Sequence, residues 1–102
     1  MKIAICYITC KDETEAKKVA GKLISEKLIA CANIYSVKSM YMWKGKLVDG
    51  TEQVIFAKTK RSNYNKIQKA AASVHSYETP CILMLDADSN AAFGKWVLGE
   101  IK

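Results

Sequence analysis

Three segments of the chain are apolar at every position, and they restrict the possible folds more than any other feature of the sequence. They run from Ile3 to Ile8, from Val54 to Ala57 and from Cys81 to Leu85, and their length and content are typical of β-strands. A strand with one face in water alternates apolar and polar side chains, because successive residues point to opposite faces. These segments do not alternate. Both faces of the sheet that they form must therefore be covered.

Helices are predicted around the strands from capping residues and apolar spacing. Asp12 with Glu15 three residues later forms a capping-box pattern, and the apolar residues that follow recur at helical intervals. Ser62 is predicted to cap a second helix, which must end before Pro80. The segment from Asp88 to Asn90 provides cap residues for a final short helix.

A long extended stretch from Ile29 to Trp43 precedes the second apolar segment. Lys44-Gly45 is predicted to form a hairpin turn after it. Asp49-Gly50 is predicted to form a bulge or a second turn before the third strand begins at Val54. Pro80 is expected to start the fourth strand, at a position where no backbone amide is needed.

The order of elements is therefore β-α-β-β-α-β followed by one further helix, in a single domain over residues 1–102. This order predicts an α+β, ferredoxin-like fold with two main helices on one face of an antiparallel sheet. The last helix is too short to cover the whole of the other face, so that face needs a partner. Another copy of the chain is the simplest partner, and the pattern predicts a homo-oligomer joined through its sheets.

Composition and cysteine usage are those of a cytoplasmic globular protein. The chain is 50% hydrophobic and 25% charged, as ordinary globular domains are. No segment approaches the roughly 20 apolar residues that span a bilayer, and the first apolar run lacks a signal-peptide cleavage site, so no membrane association is expected. Four cysteines occur without a C-x-x-C pair, which predicts free thiols in a reducing compartment.

Nucleic-acid binding and phosphatase chemistry are not expected. The net charge is +6, but the lysines are dispersed along the chain, which is typical of a solvated surface. RNA-recognition domains share the ferredoxin-like order, but their glycine- and aromatic-rich strand motif is absent. An acylphosphatase-like enzyme would need an arginine in a phosphate-binding loop, whereas Arg61, the only arginine, follows the third strand.

The segment from His75 to Pro80 contains the only histidine and the only proline of the chain. His75 has a donor atom suited to a metal, but a tight site needs three or four ligands. His75, Tyr77 and Glu78 could also serve acid–base catalysis, yet no activated nucleophile or G-x-S-x-G motif accompanies them. The remaining interpretation is a structural turn near an interface.

Several short motifs of the chain occur together in one known family. They are "IACAN" around Cys31, "SMYMWKGK" from Ser39 to Lys46, Glu52, "KT" at Lys58-Thr59, the segment from His75 to Pro80, and Trp96. This combination, with its spacing, resembles the CutA divalent-cation tolerance proteins nearly from end to end. The resemblance implies a homotrimer with an architecture like that of PII signal-transduction proteins, in which the hairpin around Tyr41 to Lys46 reaches onto neighbouring subunits.

The resemblance also implies a cleft between subunits where polar and aromatic side chains gather. In this sequence the matching residues are Ser39, Tyr41, Trp43, Glu52, Lys58, His75, Tyr77 and Glu78. Tyr41 and Trp43 lie two apart on a strand and so share a face. The two rings could stack on a ligand or anchor one subunit against the next, and the implied trimer favours the anchor. The implied function is a non-enzymatic binding or regulatory protein linked to divalent-cation, in particular copper, tolerance. The alternative is a small-molecule-sensing, PII-like signalling protein without physiological metal binding.

Metal binding is the attribute that the departures from the family pattern affect most. Ser76 replaces the usual proline after the histidine, which predicts a looser turn. Ile8 and Val74 occupy positions where some relatives carry a copper-linked cysteine and a second histidine. We therefore expect no required cofactor and at most weak binding of Cu(II) or another divalent cation at His75. Its expected co-ligands are Glu78 and a residue of another copy. Three thiols are expected to be too buried to bind, because they lie in apolar segments: Cys6, Cys31 and Cys81.

Overall fold

The computed structural model describes all residues from 1 to 102 and confirms the predicted α+β order. It has four strands, three α-helices and one short 3₁₀ helix. They are β1 (Lys2–Cys10), α1 (Glu13–Ser25), β2 (Cys31–Trp43), β3 (Lys46–Thr59), the 3₁₀ helix Arg61–Asn63, α2 (Tyr64–Ala72), β4 (Ile82–Asp88) and α3 (Ala91–Glu100). None of these helices is long and apolar enough to cross a membrane.

The four strands form one antiparallel sheet in the order β2-β3-β1-β4. β2 and β3 pair along their full length, from Cys31 opposite Lys58 to Trp43 opposite Lys46. The turn between them is the predicted one: Lys44 and Gly45 have φ values of 50° and 80°, both in the left-handed region that tight hairpin turns require. Because this hairpin extends beyond β1 and β4, the molecule is elongated, with dimensions of 44 × 24 × 21 Å.

The predicted bulge or second turn at Asp49-Gly50 is wrong. Both residues lie within β3, where Asp49 pairs with Met40 and Gly50 pairs with Ser39. The ladder of a hairpin is held by backbone hydrogen bonds, which continue past residues of low strand propensity once the turn has set the register. The third strand therefore begins at Lys46 and not at Val54.

The helix caps are confirmed at one position and wrong at another. Asp12 caps α1, since its side-chain oxygen accepts a hydrogen bond of 2.8 Å from the backbone N–H of Glu15. Ser62 does not cap α2, because it lies inside the 3₁₀ helix that precedes Tyr64. Asn90 precedes α3 but makes no side-chain capping bond. Pro80 lies before β4, which begins at Ile82.

The main core fills the space between α1, α2 and one face of the sheet. Its largest buried side chains include Ile8, Leu23, Ile55 and Ile67. α3 covers only one end of the other face, where Val97 and Ile101 pack with Ile3. The rest of that face stays uncovered, as predicted for so short a helix.

The uncovered part of the sheet, called here the open face, carries apolar side chains. Leu83 and Leu85 of β4 are 50% and 56% exposed, and Tyr35 of β2 is also exposed. The register places Leu83 and Leu85 beside Tyr7 and Ile5 of β1, so these side chains form one continuous surface. This surface is what the apolar strands predicted, and the oligomer that would cover it stays a prediction.

Candidate functional site

A cleft of about 730 Å³ lies between the projecting β2–β3 hairpin and the segment from Ser76 to Thr79. Six of the eight side chains predicted to form a ligand cleft line it: Ser39, Tyr41, Trp43, Glu52, Tyr77 and Glu78. The hairpin supplies one wall and the chain between α2 and β4 supplies the other. The structure thus brings together residues from two distant parts of the sequence.

The strand register explains why the hairpin residues share this cleft. Ser39, Tyr41 and Trp43 alternate along β2 and so point to one face. Glu52 of β3 lies opposite Val37, which belongs to the same alternating set. The carboxylate therefore faces the side of the sheet where the two aromatic rings lie.

Glu52 is the most enclosed charged group of the cleft. It is only 9% exposed, and the phenol of Tyr77 donates a 2.7 Å hydrogen bond to its Oε2 atom. Burial, followed by this hydrogen bond and the charge of Glu52, raises the pKa of Tyr77 above its ordinary value of 10.0. The phenol therefore stays protonated and acts as a donor. Glu52 itself makes no ion pair.

The rim of the cleft carries an ammonium group of the chain itself. The Nζ atom of Lys44 lies 3.4 Å from a carboxylate oxygen of Glu78 and 5.6 Å from the centre of the Trp43 ring. Both members of the ion pair are exposed, so the pair adds little to stability. It does show an ammonium ion lying between a carboxylate and an aromatic face.

Lys58, the seventh predicted cleft residue, lies elsewhere. It is six residues beyond Glu52 along β3, which corresponds to about 20 Å in an extended strand. Its Nζ atom donates a hydrogen bond to Asn33 and lies 5.4 Å from the ring centre of Phe56. Lys58 therefore does not line this cleft, and its place in a cleft between copies of the chain stays a prediction.

His75 does not line this cleft either. Its side chain is fully buried behind the wall of the cleft. The Nε2 atom is 2.7 Å from the carbonyl oxygen of Thr9, and the Nδ1 atom accepts a 3.1 Å hydrogen bond from the backbone N–H of Tyr77. Since a carbonyl oxygen only accepts, Nε2 carries the proton. Both ring nitrogens therefore hold the backbone in place.

Glu15 and Cys10 lie beside His75, and sequence reasoning missed both as neighbours. One ligand atom from each of these three residues lies within 4.8 Å of the others. The Oε1 atom of Glu15 is 3.7 Å from Nδ1 of His75 and accepts a hydrogen bond from the backbone N–H of Lys11. The capping pattern at Asp12 located Glu15 at the start of α1, but nothing in the sequence indicated its contact with the His75 segment.

The Ser76 substitution anchors the turn through Glu15. The backbone N–H of Ser76 donates a 3.0 Å hydrogen bond to Oε2 of Glu15, a bond that proline could not make because it has no N–H. Burial alone would raise the pKa of Glu15, but the hydrogen bonds from Ser76 and Lys11 outweigh it and lower this pKa below its ordinary value. The predicted loosening of the turn is thus countered by an added contact.

Cysteine, glutamate and histidine are donors that zinc and copper accept, and all three side chains hold protons or hydrogen bonds that ligation would change. Burial, then the charge of Glu15, raises the pKa of the Cys10 thiol to about 12, so the thiol is protonated at neutral pH. A metal would have to displace that proton and a backbone hydrogen bond of His75. The glutamate expected as a co-ligand, Glu78, is instead paired with Lys44.

The expected burial of the thiols is partly wrong. Cys6 and Cys10 are buried, whereas Cys31 and Cys81 are only half-buried, and all four are unpaired. The cysteine that lies beside His75 is Cys10, which was not among those expected to be enclosed.

Comparison with known proteins assigns the chain and its fold to a family. A model of the CutA1 divalent ion tolerance protein matches residues 4–100. The chain belongs to the CutA1 family. It is 38% identical over 76 residues to the divalent-cation tolerance protein CutA of Archaeoglobus fulgidus, with 74% of each chain covered. It is 33% identical over 99 residues to CutA of Pyrococcus horikoshii, with 96% of this chain and 97% of that protein covered.

Solved structures of CutA1 proteins have the same fold. The crystal structure of CutA1 from Pyrococcus horikoshii matches with a TM-score of 0.92 at 32% identity, covering 97% of this chain and 98% of that one. The structure of the periplasmic divalent cation tolerance protein CutA from Archaeoglobus fulgidus matches over the full length of both chains, with a TM-score of 0.93 at 32% identity. The CutA1 resemblance read from the sequence motifs is confirmed.

Proposed function

We propose that this CutA1 family member is a trimeric, non-enzymatic binding or regulatory protein. We propose that it contributes to divalent-cation tolerance, the property after which its relatives are named, and that the cleft beside the hairpin is its ligand site. The observation that carries the proposal is the convergence of six predicted residues from the hairpin and the Tyr77 segment on one cavity. A concave site with aromatic walls and few polar groups is typical of small-ligand binding.

The open face supports the trimer. Leu83 and Leu85 are exposed in a continuous apolar surface, and such a surface is costly in water unless a partner covers it. The projecting hairpin provides a second contact element, with Met40 and Met42 67% and 64% exposed. A PII-like trimer would cover both surfaces and bring the cleft next to a neighbouring copy.

The states of the reactive groups support a binding role over catalysis. The only imidazole uses both ring nitrogens in backbone hydrogen bonds, so it has no free nitrogen to serve as a general base. Burial is the main cause that raises the pKa of the Cys6 thiol to about 12. It is also the main cause that raises the pKa of the Cys81 thiol above its ordinary value. Protonated thiols are poor nucleophiles.

For metal binding we propose a weak site at most. Cys10, Glu15 and His75 are the available donors, and each would lose a proton or a hydrogen bond on ligation. An alternative function, a PII-like sensor of small molecules without physiological metal binding, is favoured by the buried state of His75 together with the aromatic lining of the cleft. Neither proposed function involves a nucleic acid, a membrane or a required cofactor, and we propose a cytoplasmic location, where four unpaired thiols would stay reduced.

Titration calorimetry with Cu(II) separates the two functions. We expect binding that is micromolar or weaker and that disappears in His75→Ala, with the trimer retained. Cys10→Ser should weaken any such binding, whereas Cys31→Ser, a thiol outside the cluster, should leave it unchanged. A nanomolar site of one ion per chain that is lost with His75 would make metal binding the primary function and would contradict the weak-site proposal.

A further inference from the structure

Glu52 is a buried carboxylate without a cationic partner. It is 9% exposed and lines the cleft, and its hydrogen bond comes from the neutral phenol of Tyr77. Buried charges in proteins are normally paired, because an isolated charge loses its hydration without compensation. A carboxylate held in this way is compensated when a cation enters the cleft.

The charge of Glu52 acts on neighbouring groups. For Tyr7, Cys10 and Cys81, burial is the main cause of a raised pKa, and the negative charge of Glu52 raises each pKa further. Glu52 thus lies close enough to these three groups to act on them, and none of them is a cation.

The groups around Glu52 favour a positive ligand as well. The lining of the cleft contains two carboxylates, Glu52 and Glu78, and one ammonium group, Lys38, in a chain whose net charge is +6. Lys38 alternates with Ser39 along β2, so its side chain leaves the strand on the face opposite Glu52. The part of the cleft that faces Glu52 is thus locally negative.

Three aromatic residues also line the cleft: Tyr77, which contacts Glu52, and Tyr41 and Trp43, which lie towards the hairpin turn. The face of an aromatic ring attracts a cation within about 6 Å of its centre. Lys44 already lies 5.6 Å from the Trp43 ring while it contacts Glu78. At the rim, an ammonium group of the chain itself thus lies near a carboxylate and an aromatic ring. The interior offers the same two kinds of group to the ammonium group of a ligand.

We propose that the cleft binds an organic ammonium ion, whose N–H groups donate to Glu52 and whose charge lies beside the ring of Tyr77, with Tyr41 and Trp43 further along the same cleft. This inference rests on the proposed function, since it names the ligand class of the same cleft. The chemistry separates an ammonium ion from a metal ion. A hard divalent cation takes six or more oxygen ligands and a soft one takes nitrogen or sulfur, whereas the interior offers one carboxylate beside an aromatic ring.

Tryptophan fluorescence provides a local readout. Trp43 lines the cleft and Trp96 lies on α3, so Trp96→Phe leaves Trp43 as the only tryptophan. The probes are spermidine and putrescine as organic cations with N–H donors, ATP as an anion, and Mg²⁺ as a metal ion. We expect saturable changes in Trp43 emission with the two organic cations. Calorimetry on the unsubstituted chain gives the same affinities if Trp96→Phe does not fold.

Two matched substitutions separate the charge of Glu52 from its structural contact. Glu52→Gln can still accept the Tyr77 hydrogen bond but has no charge, and it should weaken spermidine binding at least about tenfold, as loss of a charge-assisted hydrogen bond does. Tyr77→Phe removes the hydrogen bond but leaves the charge and a ring, and it should weaken binding by about threefold or less. Glu100→Gln, an exposed carboxylate at the end of α3, should have no effect.

Each contrary result overturns a defined part of the reasoning. Amine binding that is the same in Glu52→Gln would refute the proposal. If no amine binds and Glu52→Gln instead weakens subunit association, Glu52 is paired with a cation of another copy, which also refutes it. If ATP or Mg²⁺ alone changes Trp43 emission, the ligand class is wrong but the cleft remains a ligand site. If no probe acts, the ligand site of the proposed function fails as well.

Discussion

Glu15 should contribute more to stability than the exposed carboxylates of the helices. It is 7% exposed and accepts hydrogen bonds from the backbone N–H groups of Lys11 and Ser76. In Glu15→Gln one carboxylate oxygen becomes an NH₂ group, which faces one of these donors and leaves it without an acceptor. A buried donor without a partner costs about 1–3 kcal/mol, so we expect a loss of about 2 kcal/mol.

Denaturant unfolding at matched protein concentration measures this loss, because subunit association makes stability depend on concentration. The control is Glu13→Gln, which lies in the same helical turn but is exposed and forms only an exposed pair with Lys17. It should cost less than about 0.5 kcal/mol. The expected loss in Glu15→Gln corresponds to a decrease in melting temperature of about 10 °C for a chain of this size.

The pH dependence provides a second check. The pKa of Glu15 is lower in the folded chain than its ordinary value of 4.5, so the unfolded chain binds more protons between these two values. The stabilisation is therefore complete above the unfolded pKa and is lost as the pH falls through the folded pKa. The difference between wild type and Glu15→Gln should shrink over that acidic range. If Glu15→Gln equals Glu13→Gln at pH 7, the two backbone contacts do not anchor the turn and the reasoning is refuted.

Three further predictions concern assembly and the thiols. Sedimentation velocity at micromolar concentration should give the mass of three chains; a monomer would contradict the argument from the open face. Trp43→Ala should weaken assembly by about 2 kcal/mol, the usual cost of truncating an aromatic anchor, while the isolated fold survives; an unchanged dissociation on dilution would assign Trp43 to the ligand site alone. Thiol titration of the denatured, unreduced protein should count four free thiols, and a count of two would reveal a disulfide.

Sequence reasoning located the elements well wherever local signals decide the outcome. The side chain of Asp12 caps α1 as its spacing to Glu15 predicted, and Lys44-Gly45 forms the hairpin turn. The turn preference of Asp49-Gly50 gave a wrong prediction, because pairing with β2 continues through these two residues. The capping preference of Ser62 also gave a wrong prediction, because the chain forms a 3₁₀ turn before α2 begins. In both cases a neighbouring element outweighed a local preference.

The cleft was predictable in its membership but not in its contacts. Motif resemblance identified Tyr41, Trp43 and Glu52, and alternation along β2 explained why two of them share a face. The same resemblance assigned Lys58 and His75 to a cleft between subunits, and neither lines the cleft within one chain. A motif records which residues occur together in a family, whereas distance along a strand and burial behind a wall depend on the folded chain.

The sequence by itself determined the order of strands and helices, the antiparallel α+β class and the need to cover a second apolar face, because these follow from side-chain periodicity over short stretches. Only the tertiary structure decided which polar groups meet. The bond between His75 and Thr9 joins residues 66 positions apart, that between Ser76 and Glu15 spans 61 positions, and that between Tyr77 and Glu52 spans 25. Such contacts depend on how the segment between α2 and β4 crosses the end of β1, and no local propensity encodes that path.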